Sequence, residues 1–351
     1  MYLGERANWF GGSNTAQVYS SLADAILNER DADKELAIQH LNTACEMFND
    51  CFERQQAIYA SYTALPTDEE EIDTESGGVS LSEAPEVMAN VDEDEGYAVI
   101  QASITPSTIL DTLLELLSTL SVLLPIHPSP QPLIHTVESL LFSKLAPLST
   151  SLPDRQTDCI LTAAITKCAI AESLFRTSSP DPNAWEAAIS ASFNPTEWSF
   201  SASADALCAK SDAHVSLAST IPELAWKHYA FASQALGEAA KLEPTKARIY
   251  LARGDMELVR SRIECAARTE QVRELLRKNA GVFYRGAMRL EDAEVKKEGE
   301  VKEAALRFEN GEVAALTGLL DQESREILEE AVEEEVFEAE ILEKIITDEG
   351  V

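Results

Sequence analysis

Apolar residues recur along most of this chain at three- and four-residue intervals, the spacing that gives an α-helix one apolar face. After Gly11-Gly12-Ser13-Asn14, the series Val18, Leu22, Ala23, Ile26 and Leu27 predicts a first helix. A polar run over 28–33 interrupts it. Leu36, Ala37, Leu41, Ala44, Cys45 and Phe48 then form a second inward stripe, continuing through Phe52, Ala57 and Tyr59 toward Leu65. Two helices joined by a short polar turn predict an amino-terminal helical hairpin over 14–65.

The pattern lapses over 66–96, which holds twelve acidic residues, no basic one and a Gly77-Gly78 pair. Like-charge repulsion and a shortage of apolar surface predict an acidic flexible loop. A loop this long is either the first surface a basic partner meets or a tolerated insertion.

Helical periodicity returns near Thr105, with Thr105 or Ser107 as cap and Pro106 in the first turn. Ile109, Leu113, Leu116, Leu117 and Leu120 face inward. The stretch 109–126 is the most apolar in the chain. Asp111, Glu115, Ser118, Thr119, Ser121 and Pro125 interrupt it, so it reads as a buried helix and not as a membrane span. Prolines 125, 128, 130 and 132 must break it. Further helices are expected over 133–145, ending near Pro147, and from Asp154 or Thr157 to Phe175, with Ile160, Ala164, Ile165, Cys168 and Leu174 inward. Others follow from about Ala184, with Trp185, Ala188 and Ile189 inward, then over 202–218 and 222–242, with a pair within 246–283. Trp198 and Phe200 lie in an irregular stretch and are either core plugs or binding anchors. The run 99–104 is the one candidate strand. The expected fold class is all-α, with helical repeats over 97–290 and acidic capping helices over 291–351.

Charge narrows the function. The chain carries 61 acidic against 28 basic side chains, a formal charge of -33. Such a field repels nucleic acid and anionic membranes and attracts basic surfaces, so a basic protein is the default partner. The opening residues Met1 to Arg6 lack the apolar run of a signal peptide. The six cysteines contain no CxxC pair and read as buried reduced thiols, which favours cytoplasm or nucleus. The five histidines show no zinc spacing, and no cofactor signature is present. P-loop, GxSxG and kinase patterns are missing as well, so no catalytic residue is assigned and an enzyme is not expected.

A unit of about 34 residues made of two helices is a repeat worth seeking. From Trp226 to Arg277, Pro244 ends one unit, Tyr250 and Gly254 open the next, and Ala232, Ala239 and Ala266 occupy small-residue positions in the second helices. Tyr19, Leu22 and Ala23 give a partial match near the amino terminus. This spacing resembles the tetratricopeptide family. Arg253 stands where that family usually has leucine, Glu270 where it has an aromatic, and the middle of the chain has no clean copy. The resemblance implies a tetratricopeptide-like α-helical repeat array, a superhelix or solenoid whose concave groove binds partner peptides or helices. Acidic members of such families escort newly made basic proteins, ribosomal proteins among them.

Two charged segments stand out. Residues 246–289 hold eleven basic and five acidic side chains, and Arg260, Arg268, Arg277 and Lys278 either bind an acidic peptide or pair with the chain's own acids. Residues 321–349 hold thirteen acidic residues and only Arg325 and Lys344 as bases, yet Leu328, Ala331, Val332, Ile341, Leu342 and Ile345 keep helical spacing. That pattern predicts a terminal cap with a dry and an acidic face. Glu333, Glu334, Glu335, Glu338 and Glu340, together with Trp198 and Phe200, are the candidate client-binding residues. The expected function is a non-catalytic scaffold or escort for a basic client, as a monomer or 1:1 complex, without direct nucleic-acid or membrane binding. The alternative is a structural or regulatory adaptor subunit of a stable complex.

Overall fold

The computed structural model describes residues 9–28, 32–63, 104–178, 180–193, 203–265, 269–290, 292–312, 315, 321–334, 336–339 and 342. Among them the fold is all-α, with no strand. The elements are α1 (Trp9–Leu27), α2 (Lys34–Thr63), α3 (Pro106–Ile126), α4 (Gln131–Leu140), α5 (Ala146–Ser151), α6 (Gln156–Thr177), α7 (Pro182–Phe193), α8 (Ala204–Thr220), α9 (Pro222–Leu242), α10 (Ala247–Arg262), α11 (Glu270–Ala287), α12 (Ala293–Glu309) and α13 (Gln322–Glu333). The acidic run 66–96, the candidate strand at 99–103, and Trp198 and Phe200 lie outside the described residues.

Helix starts follow side-chain chemistry. Thr105, and not Ser107, caps α3: the Thr108 amide donates to Thr105 Oγ1 at 3.3 Å and the Thr105 amide to Thr108 Oγ1 at 3.0 Å. Ser203, Thr269, Asp292 and Asp321 each accept an amide hydrogen bond at the starts of α8, α11, α12 and α13. Pro125 sits inside the end of α3, so the break falls after Ile126. Pro147 does not end a helix as expected. A π-turn at Leu141–Leu145, in which the Ala146 amide donates to the Leu141 carbonyl, widens the coil just ahead of the proline, and α5 continues beyond it.

Packing proceeds mostly between consecutive helices: α1 on α2, α2 on α3, α3 on α6, and then α6 through α13 in chain order. One apolar cluster joins α1, α2, α3, α4 and α6, a second joins α6, α7 and α8, and a third joins α10 through α13 with Val336 and Phe337. Along α1 the buried residues are Ala16, Ala23 and Ile26, while Val18 and Leu22 are exposed. Val18 lies two residues from Ala16, roughly 200° around the helix, so the two cannot share a face. The alanines let α2 approach closely, and the larger side chains turn outward. Leu36 and Ile165 are likewise exposed. By length and composition α3 is apolar enough to cross a membrane, and its Leu110, Leu113, Leu117, Leu123 and Leu124 are fully buried within the protein.

Candidate functional site

The carboxyl-terminal half is held by a polar junction that sequence spacing only partly announces. On α10, Gly254 leaves room for the Tyr284 ring of α11; a Cβ at 254 would stand 2.4 Å from Tyr284 Cε1. Tyr250 rests in return over Gly286. Gly254 therefore marks a close crossing of α10 and α11. The second helix, however, starts only at Glu270, so the aromatic position of the resemblance falls on the first residue of α11, and Ala266 lies outside the described residues. Tyr284 donates its hydroxyl to Asp255 Oδ1 at 2.9 Å, and Lys302 of α12 donates to Asp255 Oδ2 at 3.1 Å and pairs with Glu298 at 2.7 Å. Burial raises the Asp255 carboxyl, opposed by Lys302 and the Tyr284 hydroxyl. Burial alone would weaken the Lys302 ammonium, but Asp255 and Glu298 outweigh it and tighten its proton. A buried ion pair with satisfied partners fixes one geometry. Here it joins α10, α11 and α12.

The basic zone is largely consumed by the protein itself. Arg262 and Arg277 both grip Glu309, and Arg262 also donates to the Val336 carbonyl. Arg260 pairs with Glu257, Arg285 with Glu303, Arg248 with Glu294, and Lys246 with Asp205 and Glu243. Glu257 also accepts from Ser233 at 2.6 Å and Asn279 at 3.5 Å, which ties α9, α10 and α11 together. Arg253 places its guanidinium 4.0 Å from the Phe283 ring centroid and against Gly237, whose missing side chain gives it room. Arg268 lies outside the described residues. Lys278 makes no hydrogen bond or ion pair among them.

The last described helix carries the opposite sign. Leu328 and Ala331 are buried against the α10–α12 core, and Asp321 caps the helix while accepting from Lys297 at 2.8 Å. The Lys297 contact and the Ser324 hydrogen bonds hold the Asp321 carboxyl down at about 2. Glu323, Glu326, Glu329, Glu330 and Glu333 are exposed, and none of them forms an ion pair among the described residues. Of the predicted client-binding residues, Glu333 belongs to this row. Glu334 is also exposed, but it lies in the field of Lys302 and Asp255, and burial of its surroundings raises its carboxyl. Glu338, also exposed, acts on Arg262 and Glu309. Glu335, Glu340, Trp198 and Phe200 lie outside the described residues. Glu323, Glu326, Glu329 and Glu330 were not among the predicted residues; the cap at Asp321 followed by the Leu328–Ala331 inward pair is the signal that locates them.

A cluster of histidines was not anticipated, because the two sequence positions are fourteen residues apart on different helices. His214 of α8 and His228 of α9 are buried, with their Nδ1 atoms 3.0 Å apart, and Phe231 packs on both rings. Glu186 of α7 lies 3.7 Å from His228 Nε2 and is held by Lys227. Burial, reinforced by His228, lowers His214 to about 4, so at neutral pH the pair shares one hydrogen bond between neutral rings. A cavity of about 260 Å³ opens beside His214. No group of three or more potential metal ligands is assembled among the described residues. No disulfide joins the six cysteines, and burial pushes Cys45 and Cys168 up to about 12, the chemistry of inert thiols.

No protein-family model, curated protein or solved structure matches this chain.

Proposed function

We propose that this chain is a tetratricopeptide-like array of stacked helix pairs that acts as a non-catalytic scaffold and escorts a basic protein client, such as a newly made ribosomal protein. The observation that carries this reading is the sign of the charge left over. The cations of 246–289 are mostly taken up within the chain, whereas α13 holds Glu323, Glu326, Glu329, Glu330 and Glu333 exposed and without ion pairs among the described residues. The helix backbone fixes where these carboxylates start, so a client's lysines and arginines meet a row of one sign on one element, while the exposed side chains still lose rotamer freedom on binding. In this reading 14–65 is the first repeat, 97–290 supplies the rest, 291–351 caps the stack, and the acidic run 66–96 meets the client first. The client then engages Glu333 and its neighbours on α13. The complex is 1:1, cytoplasmic or nuclear, and uses no cofactor.

The test is affinity purification of the tagged chain from its native cells, washed at low and moderate salt, beside a variant with Glu323, Glu326 and Glu330 changed to Gln. A single strongly basic, stoichiometric partner that salt removes and the variant binds poorly supports the escort. A salt-resistant set of neutral or acidic proteins, bound equally by the variant, overturns it. That second outcome belongs to the adaptor-subunit reading, which Val18 and Leu22 favour: one turn apart on α1, they are 65% and 44% exposed.

A further inference from the structure

The protein has a second, oppositely charged surface. Helices α11 and α12 border a cavity of about 330 Å³ into which Arg277, Lys278, Arg285 and Arg307 project, against only two lining carboxylates, Glu274 and Glu303. Gly281 forms part of the wall; a Cβ there would stand 3.3 Å from the Arg285 guanidinium and 3.5 Å from Leu306, so the glycine keeps the space open. One of these carboxylates, Glu303, is already shared. Glu303 accepts from Arg285 at 2.9 Å and lies 3.8 Å from Arg307, which spends its Nε and one terminal nitrogen on Glu312. Arg277 is paired through one terminal nitrogen with Glu309, while its Nε is buried without a hydrogen-bond partner. Lys278 is exposed and has no partner among the described residues. With Glu309 and Glu312 counted, four cations face four carboxylates, and the donors left for a ligand are the Lys278 ammonium and the unspent guanidinium nitrogens of Arg277 and Arg307.

The same helix adds an apolar component. Leu275 and Val282 are 56% and 50% exposed and lie two turns apart on α11, one on each side of Lys278. Both are large apolar side chains turned to water, on the helix face next to Lys278, which lines the cavity. We infer that this surface is a docking site for an acidic peptide segment of a partner protein. One carboxylate enters among Arg277, Lys278 and Arg307, and apolar side chains rest on Leu275 and Val282. The chain's overall negative field does not forbid this. At physiological salt the Debye length is about 8 Å, so a carboxylate inside the cavity feels the nearby cations far more than distant glutamates. The site is separate from the α13 acidic row, and its occupant has the opposite charge to the proposed basic client.

The experiment is fluorescence anisotropy of the full chain with a fluorescein-labelled synthetic peptide of Glu-Glu-Leu-Leu blocks. A second peptide with every Glu changed to Gln is the control. Two variants test the site: Lys278→Glu with Arg307→Glu for the cations, and Leu275→Ser with Val282→Ser for the apolar pair. All four positions are exposed or half-exposed at the surface, and thermal unfolding checks that each variant remains folded. Binding of the acidic peptide, lost by about tenfold or more in each variant and weak for the Gln peptide, supports the site. Equal binding by wild type and the charge-reversed variant overturns it. So does loss in the charge variant alone with full competition by inorganic phosphate, which would make the cavity a simple anion site. Concentration-dependent self-association that Lys278→Glu abolishes would give the surface to a second copy of this chain and would also overturn the assignment. Neither variant touches α13, so failure here leaves the escort reading standing.

Discussion

Gly254 faces the ring of Tyr284 so closely that a Cβ at position 254 would stand 2.4 Å from Cε1. The tyrosine can then lie against α10 and donate to Asp255, the next residue along it, at 2.9 Å. A single missing side chain thus sets the distance between α10 and α11 and completes the buried polar junction that α12 closes.

Replacing Gly254 with Ala should destabilise the protein by about 2 kcal/mol, because overpacking outweighs the roughly 1 kcal/mol that alanine gains as a helix former. The double variant with Tyr284→Leu should lose less than the sum of the two single changes. Urea denaturation of the four proteins measures this coupling. A Gly254→Ala protein more stable than wild type would mean that the crossing is not tight.

Lys302→Met should cost about 3–5 kcal/mol, since it strands the Asp255 carboxylate in the interior. Adding Asp255→Asn should recover much of that loss. If the single change proves harmless in chemical denaturation, the Asp255–Lys302 pair does not hold α10 to α12.

Two arginines on α10 should behave differently. Arg253 has a face-on contact with Phe283 and no ion pair among the described residues, so Arg253→Leu should stay within about 1 kcal/mol of wild type. Arg262 holds Glu309 at 2.7 Å and the Val336 carbonyl, and Arg262→Leu should cost about 3 kcal/mol. Equal losses in calorimetry would contradict the assigned roles.

The histidine pair makes stability depend on pH. His214 is lowered to about 4 in the fold, against roughly 6.5 in the unfolded chain. The unfolded state therefore binds the proton first. This contribution is complete above about pH 6.5 and is lost as pH falls toward 4, by about 3 kcal/mol in all. His228, Glu186, Lys210 and Lys227 share its surroundings and act on the same titration. Because many carboxylates also titrate near the lower limit, the readout is the difference between wild type and His214→Gln. That difference should shrink between pH 6.5 and 4, and a difference independent of pH would refute the buried neutral pair.

The helices themselves were largely legible. The Pro222 to Leu242 pattern reproduces α9 to the residue, and Trp185 and Ile189 are buried as their spacing implies. Faces were less legible where alanine competes with larger residues. Val18 and Leu22 outrank Ala16 in hydrophobicity, but close packing with α2 selects the small side chain. Pro147 misled for a related reason: a local pattern does not reveal that a π-turn will absorb the missing amide. At the acidic end, composition located the charge but could not separate Glu333, left free on α13, from Glu334 and Glu338, which act on the protein's own ions.

Periodicity, capping residues and charge balance are local properties, so the residues alone dictated the all-α fold of the described residues and a strongly acidic, amphipathic segment at α13. Which charges cancel is not local. Arg262 and Arg277 meet on Glu309, His214 meets His228, and Lys302 meets Asp255 only because helices distant in sequence cross within hydrogen-bonding reach. Tertiary packing therefore decided which cations were neutralised, leaving α13 with its exposed glutamates and Lys278, at the α11–α12 cavity, without an ion pair among the described residues.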